Sequence, residues 1–346
     1  MGQVQDHQDP ARGNARIGSQ GQKVRRNFAA LGCAALALGL GSLVQAHHGQ
    51  GKPPSSEPAT ARIVAKSVTD PLFDQDLAWK HLLSQVETGT RNPGSSGHLR
   101  CRDWLLKELK KQTPDAVLQP FEHTWSKTGE KVKMWNIVGS QNWAKAKKRV
   151  LLIAHWDTRP TADMEIGSIK QSTPIPGAND GASGVAVLLE LSRVLKDLGP
   201  GVGVKYLLVD GEDLGPGLDE MFLGAKAFAK APGTPKPDYG ILLDMVGDKD
   251  LRIPKEPFSV QSAPTLIEDL YAHAKKMGME STFPDEEQGE IFDDHLSLQQ
   301  GGIPTIDLID FTYDPWHTLQ DTPDKCSAAS LGKVGRLLES WLRHGG

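Results

Sequence analysis

The chain has 346 residues, of which 38% are hydrophobic, and a formal net charge of -4 at pH 7. A chain of this length can bury a sizeable core, and single α/β domains commonly reach about 250 residues. Lysine and arginine are interspersed with aspartate and glutamate, so no basic face indicates a nucleic-acid partner. We therefore expect a small-molecule or peptide substrate and no nucleic acid.

The N-terminus is typical of an export signal. Three basic residues precede the apolar run 28–44, and small residues lead up to Ala46. We expect cleavage after Ala46, which makes residues 1–46 a signal peptide and the mature protein periplasmic or secreted, with no stable membrane insertion. An uncleaved anchor is the alternative, although the run is short and weakly hydrophobic for a membrane span.

Residues 47–71 are rich in Gly, Pro, Ser and His, and this composition predicts a flexible tether. We expect one folded domain over 72–346. Two cysteines lie in that domain, Cys101 and Cys326. An exported protein permits a disulfide between them, and two buried free thiols are the alternative.

Hydrophobic periodicity predicts the elements of this domain in chain order. The first are helices over 74–86 and 97–109, followed by strands over 117–125, 134–139 and 150–154. Helices then alternate with strands: helices over 181–198, 221–230 and 265–277 and near 294, strands over 204–209, 240–245 and 305–309, and a last helix over 328–343. This alternation predicts a single three-layer α/β/α sandwich around a mixed, mostly parallel sheet.

The ends of the predicted strands carry acids and histidines. Active sites in such sheets lie beyond the carboxyl ends of the strands. His155 ends one strand, Glu212 and Asp213 follow the next, Asp244 ends a third, and His317 lies beyond the last. Side chains alternate along a strand, so we expect the adjacent acids to point in different directions, one to bind a metal and the other to move a proton. A solvated acidic loop is the alternative for this acid pair.

Asp180 follows a glycine-rich turn and opens the predicted helix 181–198. Aspartate is a favoured N-cap, so a structural role is one interpretation. The turn lacks the Lys-Ser/Thr ending of a phosphate-binding loop. Histidine and carboxylate ligands without thiolates suit zinc, and a catalytic zinc keeps one coordination position open.

Six segments carry a resemblance to known proteins: His155-Trp156-Asp157, Asn179-Asp180-Gly181-Ala182-Ser183-Gly184, Asp210-Gly211-Glu212-Asp213, Leu243-Asp244-Met245-Val246-Gly247, Asp293-Asp294-His295 and Trp316-His317-Thr318. In order and spacing they resemble the zinc-aminopeptidase superfamily, peptidase family M28. Within it the chain is most similar to the glutaminyl-peptide cyclotransferases, or glutaminyl cyclases. The resemblance implies that 72–346 form a zinc-dependent catalytic domain.

The superfamily implies two chemistries. The aminopeptidases use two zincs to activate water, and all five positions matching their ligands are present: His155, Asp180, Asp213, Asp244 and His317. The resemblance to the cyclases implies one zinc, held by Asp180, Asp213 and His317. His155 is then a candidate ligand for a second metal. The ligand set therefore does not discriminate between the two chemistries.

Two departures from the aminopeptidase pattern resemble the cyclases. Asp293 stands where a serine is usual, and Trp316 where a tyrosine is usual. An acid at 293 beside Asp244 would favour a proton shared by the two carboxylates, because like charges at close range do not both ionise readily. Trp316 would pack either on the substrate or simply within a loop.

The cyclase resemblance implies peptide or protein substrates with an N-terminal glutamine, which is cyclised to pyroglutamate with release of ammonia. Glu212 would move the proton, and Asp244, hydrogen-bonded to Asp293, would hold the attacking amine. Asp307 stands where mammalian cyclases have a histidine, and its role stays open. A dizinc aminopeptidase and a non-catalytic binding domain of the same fold are the alternatives.

Overall fold

The computed structural model describes residues 72–199 and 201–346, all within one compact unit, Ala65–Gly346. The predicted signal peptide, residues 1–46, and the predicted tether, residues 47–71, lie outside the described residues. Among the helices of these two ranges, none combines the length and the apolar composition that a membrane span requires.

Six strands form a single sheet: β1 (Val117–Thr124), β2 (Lys131–Gln141), β3 (Lys148–His155), β4 (Val202–Val209), β5 (Tyr239–Asp244) and β6 (Thr305–Ile309). Their order is β1-β2-β4-β3-β5-β6. The four strands β4, β3, β5 and β6 run parallel, and β1 and β2 join them as an antiparallel hairpin on the β4 side. The prediction of a mixed, mostly parallel sheet is confirmed.

The helices of the described residues are α1 (Gln75–Glu87), α2 (Ser96–Lys110), α3 (Ser168–Gln171), α4 (Ala182–Val194), α5 (Leu223–Lys230), α6 (Pro257–Ser262), α7 (Pro264–Lys276), α8 (Asp294–Gln300) and α9 (Ala328–Arg343). Asp74 and Ser95 cap the first two through their side chains. The predicted helix 181–198 stops earlier, at Val194, and continues as a 3-10 turn, Leu195–Asp197.

The strand β3 shows why the sheet is covered on both faces, since its last six residues are all buried. Val150, Leu152 and Ala154 pack with the helices α1, α4 and α9 on one side. Leu151 and Ile153 pack with α5 and α8 on the other. Each fully buried valine, leucine or isoleucine side chain contributes roughly 1.5–3 kcal/mol. The predicted three-layer sandwich is confirmed.

The two cysteines of the domain lie in the larger of these cores. Cys101 and Cys326 are both buried, and both are free thiols among the described residues. Of the two alternatives left open by the sequence, the structure has the free thiols.

Candidate active site

A cavity of about 330 Å³ opens at the carboxyl ends of the parallel strands. Seven of the eight predicted site residues line it: Asp180, Glu212, Asp213, Asp244, Asp293, Trp316 and His317. The eighth, His155, ends β3 beneath them and is only 1% exposed. Segments that are far apart in sequence therefore meet at one edge of the sheet, as the strand-end rule predicts.

Asp180 is not the N-cap of α4. That position belongs to Gly181, whose φ of 107° is one that residues with a side chain rarely adopt. A Cβ at Gly181 would lie 2.7 Å from the His155 ring, so the turn passes close to the strand end. The Asp180 carboxylate lies between two histidines, with Oδ1 3.1 Å from His155 Nε2 and Oδ2 3.6 Å from His317 Nε2.

Asp180, Asp213 and His317, the three ligands that the cyclase resemblance implies for one zinc, lie close together. His317 Nε2 is 3.2 Å from Asp213 Oδ1. The Oδ2 atoms of Asp180 and Asp213 are buried and accept no hydrogen bond from any described residue. Unpartnered buried carboxylate oxygens are unfavourable unless a cation neutralises them. Two carboxylates and one imidazole, without a thiolate, fit zinc.

His155 gives the site a second set of donors. Its Nε2 lies 3.1 Å from Asp180 Oδ1 and also 3.1 Å from Asp244 Oδ1. His155, Asp180 and Asp213 also offer ligand atoms within 4.8 Å of one another. The geometry therefore provides donors for a second metal as well as for the first.

Glu212 lies next to the three predicted zinc ligands, and its ion-pair contact among the described residues is with His155 instead. Its Oε2 is 3.7 Å from His155 Nδ1. Burial, reinforced by the negative charge of Asp213, raises the pKa of Glu212 well above its usual range. Asp157 fixes this turn, because its two carboxylate oxygens accept the backbone N–H groups of Glu212 and Asp213 at 3.1 and 3.2 Å.

The acid at the start of the same segment has a structural role. Both oxygens of Asp210 lie 2.9 Å from His98 Nε2, and Oδ2 accepts the backbone N–H of Trp135 at 2.7 Å. His98 stacks on Trp156, with ring centroids 4.5 Å apart. Asp210 thus ties α2 and β2 to the end of β4, and the proton-moving role is left to Glu212.

Two residues that the sequence analysis missed connect the metal ligands from behind. Arg159 donates through Nη1 to Asp213 Oδ1 at 3.2 Å, and through Nε and Nη2 to Asp163 Oδ2 at 2.9 and 2.8 Å. Asp163 Oδ1 lies 3.1 Å from His317 Nδ1. A carboxylate on the second nitrogen orients a metal-binding histidine. The only sequence signal is an arginine and an aspartate four residues apart just after β3.

The pKa values of the three predicted ligands follow from their burial and from their charged neighbours, including Arg159 and Asp163. Burial alone would raise the pKa of Asp213, but His317 and Arg159 hold it well below its usual range. Burial and the charge of Asp213 raise the pKa of Asp180 to about 7. Burial opposes charge on His317, yet Asp213 and Asp163 raise its pKa to about 9. Asp213 is therefore ionised at neutral pH, while Asp180 in the metal-free site takes up a proton below about pH 7.

Asp293 lines the cavity, but its predicted hydrogen bond to Asp244 is not formed between these described residues. Asp293 Oδ1 accepts the backbone N–H of Asp294 at 2.5 Å and so begins α8, while Oδ2 is unpartnered in the described chain. Asp244 Oδ1 is instead bonded to His155. Burial, followed by the charge of Asp244, raises the pKa of Asp293 well above its usual range.

Asp307 lies behind Asp293 and pairs with His295, whose Nδ1 is 3.6 Å from Asp307 Oδ2. Asp293, His295 and Asp307 offer ligand atoms within 4.8 Å of one another, and His295 Nε2 is 3.2 Å from Glu256 Oε2. Asp307 is fully buried. Burial and the neighbouring Asp293 raise the pKa of Asp307 well above its usual range.

Trp316 both packs within its loop and lines the cavity. Its ring stacks on the His317 imidazole with centroids 3.9 Å apart, and Phe311 lies 5.0 Å away on the surface side. His317 has a φ of 54°, a strained conformation of the kind found at functional sites. An aromatic column therefore leads from the surface to a candidate metal ligand.

Residues 136–342 match the family model of peptidase family M28. The chain belongs to this family. The match includes every predicted site residue, from His155 to His317.

Solved structures of both M28 chemistries are similar to this chain. Bacteroides thetaiotaomicron glutaminyl cyclase, bound to N-acetylhistamine, is 35% identical over 78% of this chain and 97% of that chain, with a TM-score of 0.74. Porphyromonas gingivalis glutaminyl cyclase is 33% identical over 80% and 100%, with a TM-score of 0.76. A Zn-dependent exopeptidase from Parabacteroides distasonis is 35% identical over 77% and 97%, with a TM-score of 0.72.

Curated M28-like relatives are matched over a smaller part of their length. A probable zinc metalloprotease of Leptosphaeria maculans is 30% identical over 144 residues, which are 39% of this chain and 31% of that protein. The chain thus spans about a third of the fungal relative. Zinc in the names of this metalloprotease and of the Parabacteroides distasonis exopeptidase agrees with the carboxylate and imidazole donors of the cavity.

Proposed function

We propose that the chain is a glutaminyl-peptide cyclotransferase, which converts an N-terminal glutaminyl residue to pyroglutamate and releases ammonia. The observation that carries the proposal is the second buried acid, Asp293, in the cavity wall beside Asp244. A proton retained on Asp293 leaves this pair with one negative charge rather than two, and so makes it a weaker site for a second divalent cation. The similarity to two glutaminyl cyclases over nearly their whole length supports the same assignment.

Asp180, Asp213 and His317 would hold the zinc. When bound, zinc supplies Lewis-acid chemistry that polarises the side-chain carbonyl of the glutaminyl residue. Arg159 and Asp163 would keep the Asp213 and His317 side chains in place for it. The count of one zinc per chain is part of the proposal.

Glu212 would carry the proton. The new bond joins the peptide's α-amino nitrogen to the side-chain carbonyl carbon, and the bond that breaks is the C–N bond of the side-chain amide. Glu212 accepts a proton from the α-amine and delivers it to the departing nitrogen, which leaves as ammonia, and no water is consumed. A carboxyl group with a raised pKa can both take and return a proton near neutral pH.

Asp244 and Trp316 would orient the substrate. The Asp244 carboxylate accepts a hydrogen bond from the α-amine, and the Trp316 ring packs on the methylene groups of the glutaminyl side chain. Because the nucleophile and the carbonyl belong to the same residue, holding them in an attack geometry accounts for much of the rate enhancement.

The second candidate function is that of a dizinc aminopeptidase, and the position of His155 favours it. His155 Nε2 lies 3.1 Å from both Asp180 Oδ1 and Asp244 Oδ1, so the three side chains are close enough to bind a second metal together. Measuring zinc per chain and ammonia release from a glutaminyl dipeptide on one sample separates the two candidates. One zinc with ammonia release supports the cyclotransferase, whereas two zincs with hydrolysis of leucyl peptides support the aminopeptidase.

We also propose that the protein is exported from the cytoplasm. Residues 1–46 would direct the chain out of the cytoplasm, 47–71 would tether the catalytic domain, and 72–346 would form it. Expression of the full chain followed by N-terminal sequencing of the exported protein tests this division. A mature N-terminus at His47 supports it, and an intact leader on membrane-bound protein contradicts it.

A further inference from the structure

Large apolar side chains are exposed around the mouth of the cavity. Met164, Leu218, Phe292 and Phe311 line the cavity and are 58%, 52%, 56% and 45% exposed. We call these four residues the apolar rim. They come from four separate segments of the chain, so their meeting is a product of the fold. Clustered exposed apolar side chains mark binding surfaces more often than isolated ones do.

The segment that carries Met164 is fixed against the metal-binding loop. The backbone N–H of Met164 donates to the His317 carbonyl at 3.2 Å, and Glu165 Oε1 accepts the backbone N–H of Leu319 at 3.1 Å. Ile166 and Ile169, on the same segment, are also exposed, at 93% and 85%. The rim therefore has a defined position relative to the candidate zinc ligands.

The position of the rim determines which part of a substrate would meet it. The acids Glu212, Asp244 and Asp293 are buried at the inner end of the cavity, where the reacting glutaminyl residue would lie. The remainder of the peptide extends outward past the rim. The side chain that follows the glutamine would therefore be the first to contact Met164 and Leu218.

We infer that the apolar rim binds the second residue of the substrate, an inference that rests on the proposed function. Preferred substrates then carry an apolar side chain at the second position. The charged residues that line the cavity also favour an apolar second residue over an acidic one. Asp163 and Glu290 also line the cavity, and its one arginine, Arg159, is already paired with Asp163 and Asp213. An acidic second residue would thus meet negative charge without an available cation in the described wall.

The test compares three tripeptide amides that share an N-terminal glutamine and differ at the second position, as phenylalanine, alanine or glutamate. We expect kcat/KM to be about tenfold higher for phenylalanine than for alanine, the scale set by burying one apolar group in a pocket. We expect glutamate to be the poorest of the three. Met164→Gln and Leu218→Asn should each lower the phenylalanine-to-alanine ratio at least about threefold, mainly through KM.

Val117→Thr is the matched control, because Val117 is 52% exposed on β1 and does not line the cavity. It should leave the ratio unchanged. Equal kcat/KM for all three peptides would overturn the inference while leaving the cyclotransferase intact, whereas no ammonia from any of them would overturn the proposed function itself. A change of oligomeric mass on gel filtration in Met164→Gln, with an unchanged ratio, would assign the rim to contact with a second copy and also overturn the inference.

Discussion

Asp163 Oδ1 lies 3.1 Å from Nδ1 of His317, whose other ring nitrogen faces Asp213 and Asp180. The imidazole is thus held from behind by a carboxylate, which fixes the tautomer that presents Nε2 to a metal. Arg159 extends this contact to Asp213, so one ion-pair bridge orients two of the three candidate zinc ligands.

Replacing the carboxylate of this bridge should weaken metal binding. We expect Asp163→Asn to lower zinc affinity by about 10- to 100-fold, the range found for partners of ligating histidines. Competition with a chromogenic chelator measures the change, and turnover at saturating zinc should recover much of the loss. Asp103→Asn is the control, since Asp103 is an exposed acid on α2 whose one ion pair within the described residues is with Arg102. Equal zinc affinities in the two variants would refute the positioning role.

Glu212→Gln should separate catalysis from metal binding. The amide cannot accept the proton of the α-amine, so turnover should fall by about 10²- to 10⁴-fold. Zinc content should stay at the wild-type value, because Glu212 is not among the three proposed ligands. Glu280→Gln, an exposed acid on the surface, provides the control. A wild-type rate in Glu212→Gln would contradict the role of Glu212 as the proton carrier.

The metal-free protein should become less stable as pH rises from about 5 to 8. Burial raises the pKa of Asp180 to about 7, with help from Asp213, and raises that of Asp294 to about 8. These carboxyls titrate near pH 4 in the unfolded chain. The folded state therefore binds more protons across this window, and the free energy of unfolding falls as pH rises through it.

Melting temperatures of chelator-treated protein across this pH range measure the effect. Asp294→Asn keeps the neutral shape of a protonated Asp294 and should flatten the slope, whereas Asp103→Asn should not. Saturating zinc should raise the melting temperature most at the alkaline end, because its carboxylate ligands must be deprotonated. A metal-free melting temperature that rises from pH 5 to pH 8 would contradict the assignment of protonated buried acids.

The native thiols should resist alkylation. Burial raises the pKa of Cys101 to about 11 and that of Cys326 still further, and only the thiolate reacts readily. Iodoacetamide at pH 8 should leave both unlabelled in the folded protein and label both in denaturant without a reductant. Labelling that requires prior reduction would instead demonstrate a disulfide.

The sequence predicted the sheet and most of the helices well because each long element carries its own periodicity. The strand β3 reads as a continuous apolar run, and β6 was predicted with its observed bounds. The short helices α3 and α6 were missed, since four and six residues are too few for a helical period to show.

The part of the candidate site that lies at the strand ends was predictable from the sequence. Topology alone brings His155, Asp213 and His317 to one edge of the sheet. The Arg159–Asp163 bridge and the pairing of Asp244 with His155 were not predictable, because they depend on rotamers and loop paths between residues distant in sequence. For the same reason the contact between Asp307 and His295 is seen only in the structure.

In the proposed reaction, the proton taken by Glu212 comes from the substrate's own amine and not from water. Mass spectrometry of a glutaminyl tripeptide incubated with the zinc-loaded protein tests this most directly. We predict a product lighter than the substrate by one ammonia, with the peptide backbone intact and no free glutamine. A dipeptide shortened at its N-terminus, together with free glutamine, would show that water is the nucleophile and would contradict the cyclotransferase.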